Sequence, residues 1–335
     1  DSGACSAVQL SESDLQAGDV MDITARVDEA PLRRFGLGVE LSTDDGIGAS
    51  AYWLHRNLFG GAERLRFDAS ISGVGLGTLA PDIELSAQFD RPATITPDTL
   101  FTLETSVSDI NDPLYEQTTF DVEARLSDRL TRTLTGSIGI GLGYASVTDQ
   151  LGQREITRFT LPLGLTWDNR DSALDASSGA FADVDLTPFL PVGGSAGAYI
   201  YVDGRGYVGL GTDSRTRLAG RVQLGTVVGS DITHIPPDFL FASGGSGTVR
   251  GQDFQSLASI QNGANLGGRS FVGLSGEVRH DIGDTNFGVV AFADFGMITG
   301  DEFWGGASDW LGGAGLGMRY STPFGPIRVD LAAPI

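Results

Sequence analysis

The sequence of 335 residues contains no lysine, one cysteine and three histidines. All 22 basic residues are therefore arginine, and 43 acidic residues give a formal net charge of −21. Phosphate recognition needs clustered basic residues, so this acid excess argues against a nucleic-acid partner. Cys5 has no internal disulfide partner, and His55, His234 and His280 lack the spacing of a metal site or a Ser-His-Asp triad. We therefore expect no enzyme, no metal and no cofactor.

Long hydrophobic runs are also missing. A membrane-spanning helix needs about 20 consecutive apolar residues. One of the longest apolar runs, residues 287–295, is about half that length and contains Asp294. The chain begins at Asp1 without methionine or an apolar leader, so we interpret it as a processed or trimmed fragment.

What the chain does have is 48 glycines and alternation with a period of two residues. Successive side chains of a strand point to opposite faces, so alternation predicts strands with one apolar face. Ile138, Ile140 and Leu142 alternate with Gly139 and Gly141, and residues 159–168 and 316–331 repeat the pattern. Alternating segments of about ten residues separated by turns are the signature of an outer-membrane β-barrel.

We predict an all-β fold, a transmembrane antiparallel barrel of the 16-stranded type. About fifteen strands are expected to start at Arg34, Gly46, Ala62, Asp82, Asp98, Tyr115, Thr131, Gln153, Ser178, Ser195, Ser214, Gly267, Thr285, Trp310 and Gly325. Soluble β-sandwiches alternate as well, but so many long strands favour the barrel. Bacterial single-chain barrels have an even number of strands, so either this count is wrong by one or a last strand is missing after Ile335.

Two regions depart from the regular pattern. Residues 1–32 alternate less clearly and resemble the tail of a soluble periplasmic domain that enters the barrel at 33–335. The connection 233–265 is long and contains Phe239, Phe241 and many glycines, which makes it too apolar for simple disorder. Connections of this length are usually functional, and we expect this one to pack inside the barrel.

Within that connection, Val249, Arg250 and Gly251 resemble the loop-tip signature of the BamA/TamA superfamily of outer-membrane assembly and secretion factors, the bacterial surface antigen barrel domain. In this family an aromatic residue usually follows the tripeptide. Here Gln252 stands in that place, and Phe254 lies two residues further on.

Three further motifs resemble the same family and occur in the same order. The first is a turn that carries Asp168, Arg170, Asp171, Asp175 and Gly179. The others are the strand motif Phe292-Ala293-Asp294-Phe295-Gly296 and the segment Gly325-Pro326-Ile327-Arg328-Val329-Asp330. Together with the loop tip, these motifs extend the resemblance over most of the chain.

The resemblance implies that the loop folds into the lumen, where Arg250 pairs with Asp294 and Glu277. The period-two phase agrees, because both acids lie opposite the apolar faces of their strands. A guanidinium suits this role, since it can hold a carboxylate bidentately. The resemblance also implies that residues 1–32 are the C-terminal remnant of a periplasmic POTRA domain, and that the strand expected after Ile335 is the sixteenth.

The implied function is protein insertion or translocation in the bacterial outer membrane. We expect the TamA type, because the barrel is compact, the loop is modest and Thr43-Asp44-Asp45-Gly46 resembles that type. A BamA-like assembly factor, a two-partner secretion pore and a passive porin are the alternatives. Implied partners are membrane lipids and lipopolysaccharide, unfolded outer-membrane protein or autotransporter cargo, and a TamB-like protein that spans the periplasm. One side of a weak seam for incoming strands is expected at Arg34, Phe35, Gly36, Leu37, Gly38 and Val39.

Overall fold

In a computed structural model, the regular structure of the described residues is almost entirely β-strand. The structure describes residues 5–12, 21–42, 46–75, 80–211, 214–322 and 325–335. Residues 43–45 of the Thr43 to Gly46 segment lie outside this description, as do 1–4 and 13–20 of the predicted POTRA remnant. Within the described ranges, no helix is long and apolar enough to cross a membrane.

One large antiparallel sheet contains sixteen strands, and two further sheets contain two strands each. The strands are β1 (Cys5–Glu12), β2 (Ile23–Glu29), β3 (Arg33–Ser42), β4 (Gly46–Arg56), β5 (Arg64–Val74), β6 (Asp82–Pro92), β7 (Thr99–Asn111), β8 (Tyr115–Arg129), β9 (Leu134–Asp149), β10 (Gly152–Thr160), β11 (Leu163–Asp168), β12 (Gly179–Pro191), β13 (Gly197–Leu210), β14 (Thr216–Gly229), β15 (Ile260–Gln261), β16 (Ala264–Asn265), β17 (Ser270–Asp281), β18 (Phe287–Thr299), β19 (Ser308–Thr322) and β20 (Gly325–Pro334). Short 3₁₀ turns cover Ile232–His234, Pro237–Phe239 and Glu302–Trp304.

Strands of the large sheet pair in chain order from β3 to β20, except that β14 pairs with β17 across the long connection. β10 and β11 are two halves of one crossing, since both pair with β9 on one side and β12 on the other. The interruption falls at Pro162, which has no N–H to donate to a ladder. The chain therefore passes along the barrel wall fifteen times. Each of these passages, which we call crossings, begins within three residues of its predicted start.

The two faces of the sheet differ as the alternation predicted. In β18, Phe287 and Val289 on the outer face are 46% and 43% exposed, whereas Phe292 and Asp294 on the inner face are 5% and 4% exposed. An apolar outer face and a mixed, partly charged inner face suit a wall between lipid and an aqueous lumen. The predicted fold class, an all-β antiparallel barrel, is confirmed.

Two edges and a separate hairpin complete the fold. Among the described residues, β3 pairs with β4 alone and β20 pairs with β19 alone. β1 and β2 form their own two-stranded sheet, in which Val8 lies opposite Val27 and Leu10 opposite Ala25. Most side chains of this hairpin are exposed.

Candidate functional site in the barrel lumen

The connection between β14 and β17, residues 230–269, folds into the barrel, and we call it the lumenal loop. It extends a few residues beyond the predicted 233–265 at both ends. At its base the Phe241 ring stacks on Tyr199 and Phe271, with ring centroids 5.5 and 6.1 Å apart. Gly225 makes room for this ring, since a Cβ there would lie 2.4 Å from it. The buried apolar cluster around it comprises Phe189, Val227, Ile232, Ile235, Phe241, Leu257, Ala264, Leu266, Phe271 and Ile298.

Hydrogen bonds join the lumenal loop to the opposite side of the barrel. Gln255 Nε2 donates to Asp112 Oδ2 in the β7–β8 turn at 2.5 Å, and Asn265 N donates to Gln150 Oε1 in the β9–β10 turn at 2.8 Å. Burial raises the pKa of Asp112, and hydrogen bonds from Leu114 N and Gln255 partly oppose that rise. The loop therefore bridges the lumen rather than lining one wall of it.

The tip of the lumenal loop is a tight turn built on glycines. Gly244 and Gly251 have φ angles of +115° and +89°, which side chains other than glycine rarely adopt. Thr248 Oγ1 accepts a hydrogen bond from Gly244 N at 2.8 Å and closes the turn. Val249 is fully buried, and its packing fixes the position of the tip. The next side chain, Arg250, points to the inner wall of the barrel.

Arg250 binds carboxylates on three strands. Its Nε and Nη2 donate to the two oxygens of Asp294 on β18 at 2.7 and 2.9 Å, a bidentate pair. Its Nη1 donates to Glu277 Oε1 on β17 at 2.7 Å and to Asp330 Oδ2 on β20 at 3.2 Å. The guanidinium carbon lies 3.6 Å from the centroid of the Phe292 ring, within cation–π range. The geometry thus joins Arg250 to both partners that the resemblance implied, and adds Asp330.

A cavity of about 310 Å³ adjoins the tip and is rich in arginine. Its charged lining residues are Arg205, Arg221, Arg250, Glu277, Arg279, Arg319, Arg328 and Asp330. Arg279 bonds to Glu277 at 2.8 Å, and Arg319 pairs with Asp330. Each acid that binds Arg250 from β17 or β20 is therefore shared with a second arginine, and the six arginines of the lining outnumber its two acids.

The predicted family turn lies between β11 and β12, at residues 169–178, and we call it the 169–178 turn. Arg170 holds Asp168 bidentately, with Nε to Oδ1 at 2.9 Å and Nη2 to Oδ2 at 2.8 Å. Asp171 accepts hydrogen bonds from the hydroxyl and N–H of Ser177. The hydrogen bond from the Ser177 hydroxyl is the main reason that the pKa of the exposed Asp171 carboxyl falls to about 2, although slight desolvation opposes it. Gly179 has a φ of +95°, and a Cβ there would lie 2.5 Å from Asn169 O.

Asp175 connects this turn to the inner wall of the barrel through two ion pairs. Its carboxylate lies 3.3 Å from Arg217 on β14 and 3.8 Å from Arg279 on β17. Arg328 on β20 donates to Leu174 O at 3.3 Å. The turn therefore contacts β14, β17 and β20, none of which adjoins β11 or β12 in the sheet.

Other predicted residues lie apart from this cluster. Phe254 is 39% exposed and does not join the buried cluster of the loop, and Gln252 instead donates its amide to Gly312 O at 2.7 Å. Arg34 to Val39 lie within β3 at the other end of the sheet, and Phe35, Leu37 and Val39 face outward and are more than 70% exposed. Sequence reasoning missed Asp330 as a partner of Arg250. The only available signal was its inward phase in a motif already singled out.

Comparison with known proteins identifies a family and several similar folds. Residues 57–335 match the Omp85 superfamily domain. The fold is similar to that of BamA from Haemophilus ducreyi lacking POTRA domains 1-3, with a TM-score of 0.81, 16% identity and coverage of 100% of this chain and 73% of that one. It is also similar to CdiB from Acinetobacter baumannii (TM-score 0.66, 14% identity, 99% and 62% coverage) and to CdiB from Escherichia coli (0.59, 14%, 98% and 63%).

The family match covers most of the chain, including the lumenal loop, the 169–178 turn and the strands that bind Arg250. Members of this superfamily are outer-membrane barrels that insert or secrete other proteins, and they are not enzymes. The chain belongs to the Omp85 superfamily and is an outer-membrane protein insertion or secretion factor with a BamA-like and CdiB-like barrel.

Proposed function

We propose that this chain is the barrel of a TamA-type factor that assembles other proteins in the bacterial outer membrane through a weak seam. The observation that carries the proposal is the outer face of β3, the first strand of the large sheet. Its outward residues Phe35, Leu37 and Val39 are more than 70% exposed and suit lipid. Unpaired backbone groups are costly in lipid, so a seam at which this strand pairs weakly would accept an incoming strand.

The lumenal loop supports assembly over passive conduction. A porin needs an open, water-filled lumen. Here the loop bridges the lumen and is held at one side by Arg250 and at the other by Gln255 and Asn265. Opening a wide channel would require these bonds to break.

The N-terminal hairpin supports the proposal that residues 1–32 are the remnant of a periplasmic POTRA domain. A two-stranded hairpin is marginally stable by itself. One face of this hairpin carries Val8, Leu10, Ile23 and Val27, all at least 48% exposed, so it needs a covering layer. The similar BamA structure from Haemophilus ducreyi lacks POTRA domains 1-3, and the remainder of a domain of this kind would supply that layer here.

A two-partner secretion pore is the second candidate, because the barrel is also similar to CdiB. The two functions differ in the place where the partner chain lies. An assembly factor holds its cargo at the seam, whereas a secretion pore passes its cargo through the lumen.

Site-specific photocrosslinking in the native outer membrane tests this difference. A photoreactive side chain replaces Leu37 on the β3 edge, Leu85 on the outer face of β6, or Ser106 on the inner face of β7. Leu85 is the matched control, because it faces outward at 54% exposure on a strand with neighbours on both sides. The proposal expects unfolded outer-membrane or autotransporter proteins to crosslink at Leu37 and not at Leu85. Crosslinks to an exported protein at Ser106 with none at Leu37 would instead establish the secretion pore.

The TamA-type proposal also predicts a periplasmic partner protein. We propose a TamB-like, periplasm-spanning protein that binds on the periplasmic side, and lipids or lipopolysaccharide as surroundings of the barrel. Gentle solubilisation of native membranes and affinity purification of the full-length protein should recover such a partner. Purification that repeatedly recovers no such partner would contradict the TamA-type proposal.

A further inference from the structure

Arginines on the inner face of the barrel wall lie directly opposite one another on neighbouring strands. Arg205 on β13 lies opposite Arg221 on β14, and Arg217 on β14 lies opposite Arg279 on β17. Side chains in such positions have Cβ atoms about 5 Å apart, and like charges there destabilise a sheet. Departures from local stability rules are expected at functional sites, so these pairs indicate a use for the positive charge.

One carboxylate serves both members of the first pair. Asp203 accepts hydrogen bonds from Arg221 Nε at 3.0 Å, from Arg221 Nη2 at 2.9 Å and from Arg205 Nη2 at 2.6 Å. Within the described ranges, no other carboxylate forms an ion pair with either arginine. The Arg205 and Arg221 side chains are 35% and 32% exposed. The pair therefore keeps an excess of positive charge and faces open space.

The open space beside this pair presents mainly guanidinium groups to a ligand. It is the cavity of about 310 Å³, with Arg205, Arg221 and Arg279 among the six arginines of its lining and two acids. Three further carboxylates pair with lining arginines from positions outside the lining: Asp175, Asp203 and Asp294. Small-molecule sites begin at roughly 300 Å³, so the space is sufficient for a small anionic group.

A phosphate group fits this arrangement better than a second carboxylate does. A carboxylate has two oxygens in one plane, and Asp203 already occupies that place between the two guanidinium groups. A phosphate monoester has three acceptor oxygens that point in different directions. It can therefore accept hydrogen bonds from Arg205 and Arg221 on one part of the wall and from Arg279 on β17 at the same time. Arginine is over-represented where proteins bind phosphate.

We propose that this cavity binds a phosphate group, with Arg205 and Arg221 as its main ligands and Arg279 as a third. The chemistry is the same for the phosphate of a lipid headgroup and for free phosphate in the periplasm, and suitable probes separate these two sources. The site goes beyond the proposed assembly function, since it requires no cargo protein.

Isothermal titration calorimetry of the full-length protein in maltoside micelles measures this binding, because the detergent contains no phosphate. The probes are inorganic phosphate, a short-chain phosphatidic acid and an oligoglutamate peptide, all at one ionic strength because salt screens charges. We expect saturable binding of a phosphate probe and much weaker binding of the peptide. Tighter binding of phosphatidic acid than of inorganic phosphate would assign the lipid headgroup as the source, and the reverse order would assign the free anion.

A first pair of variants tests the assigned ligands. Arg221→Gln should weaken phosphate binding about tenfold, as expected for lost charge-assisted hydrogen bonds. Arg64→Gln is the matched control, because Arg64 also faces the lumen, is 33% exposed and pairs with an acid, Asp90, that is 8% exposed. It should leave phosphate binding unchanged. Arg221→Lys should fall between wild type and Arg221→Gln, since lysine keeps the charge without the planar fork.

A second pair of variants leaves every arginine in place. Ser275 lies in the lining of the cavity, on β17 directly opposite Arg221. Ser275→Glu places a carboxylate beside that guanidinium and should weaken phosphate binding about tenfold, because the ligand would meet a neutralised and occupied site. Ser275→Gln has nearly the same size without the charge and should weaken binding much less. This pair decides the matter if Arg221→Gln does not fold.

Three results would overturn the phosphate site. They are no saturable binding of either phosphate probe, binding of the oligoglutamate peptide at least as tight as that of phosphate, and equal losses in the two members of either pair of variants. The outcome is separate from that of the proposed function, because calorimetry is measured on the protein without cargo.

Discussion

Replacement of Arg250 by alanine gives the most direct measure of what holds the lumenal loop in place. The change removes a bidentate pair with Asp294, one hydrogen bond to Glu277 and one to Asp330. The Asp294 side chain is 1% exposed, so it would be left as a buried carboxylate without its cation. We expect the loop to leave the lumen much more often in this variant.

The magnitude follows from the burial of the pair. Loss of one partner from a buried ion pair costs about 3 to 5 kcal/mol. The cavity of about 310 Å³ beside the guanidinium admits water, which favours the lower end of that range. A cost of about 3 kcal/mol corresponds to roughly a hundredfold rise in the population of the displaced loop, since 1.4 kcal/mol is a factor of ten.

Limited proteolysis of the protein in lipid vesicles measures this population. Cleavage in residues 230–269 tracks the open form when opening and closing are fast relative to cleavage. Arg64→Ala is the matched control, because Arg64 also faces the lumen and pairs with a buried acid, Asp90, at 3.1 Å, on strands away from the tip. Arg250→Lys should fall between wild type and Arg250→Ala, since lysine keeps the charge but loses the planar fork.

A double-mutant cycle sharpens the interpretation. Asp294→Asn removes the charge that requires Arg250, so Arg250→Ala should cost about 2 kcal/mol less in the Asp294→Asn background than alone. Strictly additive effects, or cleavage rates in Arg250→Ala equal to those in Arg64→Ala, would refute the assignment of Arg250 as the main attachment of the loop tip.

Three further changes test the surroundings of the site. Gly179→Ala should destabilise the barrel and shift its thermal unfolding downward, because the position has a φ of +95° and the methyl would meet Asn169 O; an unchanged melting temperature would contradict this. Phe241→Ala should cost about 3 to 5 kcal/mol of loop attachment, seen as faster proteolysis of the loop, because the ring is 8% exposed and stacks between two others. The lowered pKa of Asp171 contributes stability that is present above the ordinary value of 3.8 and is lost as the pH falls through about 2, as Ser177 loses its charged acceptor. A spin label in the 169–178 turn should therefore gain mobility on acidification through that window, by a modest amount because the group is exposed, and Asp171→Asn should remove the transition.

The crossings of the barrel could be predicted from the sequence because their signal is local. Period-two alternation and the turn residues between segments placed each crossing within three residues of its start. The same phase placed Asp294 and Glu277 on the inner face, where both meet Arg250. The interruption between β10 and β11 was missed, although Pro162 marked it, since one proline is also compatible with a continuous edge strand.

Contacts between distant segments could not be predicted in the same way. Asp330 lies 80 positions from Arg250, and its phase shows the face it occupies but not the height at which the loop tip meets β20. The contacts of Asp175 with Arg217 and Arg279 depend on the path of the 169–178 turn beneath the lumen, which no periodicity encodes. Gln252 stands where the family usually has an aromatic residue, and its place in the sequence does not show that its amide binds a β19 carbonyl.

The absence of lysine acquires a structural meaning in this network. Arg250 binds Glu277, Glu277 binds Arg279, Arg279 approaches Asp175, and Asp175 binds Arg217, so alternating charges connect the loop tip to the 169–178 turn. Arg250, Arg279 and Arg217 each contact two or more carboxylates through different nitrogens. A single ammonium group makes such contacts with poorer geometry. The connected network means that the lumenal loop and the 169–178 turn are held by shared charges. Displacement of the loop would take Arg250 from Glu277, and displacement of the turn would take Asp175 from Arg217 and Arg279, so the departure of one should weaken the attachment of the other.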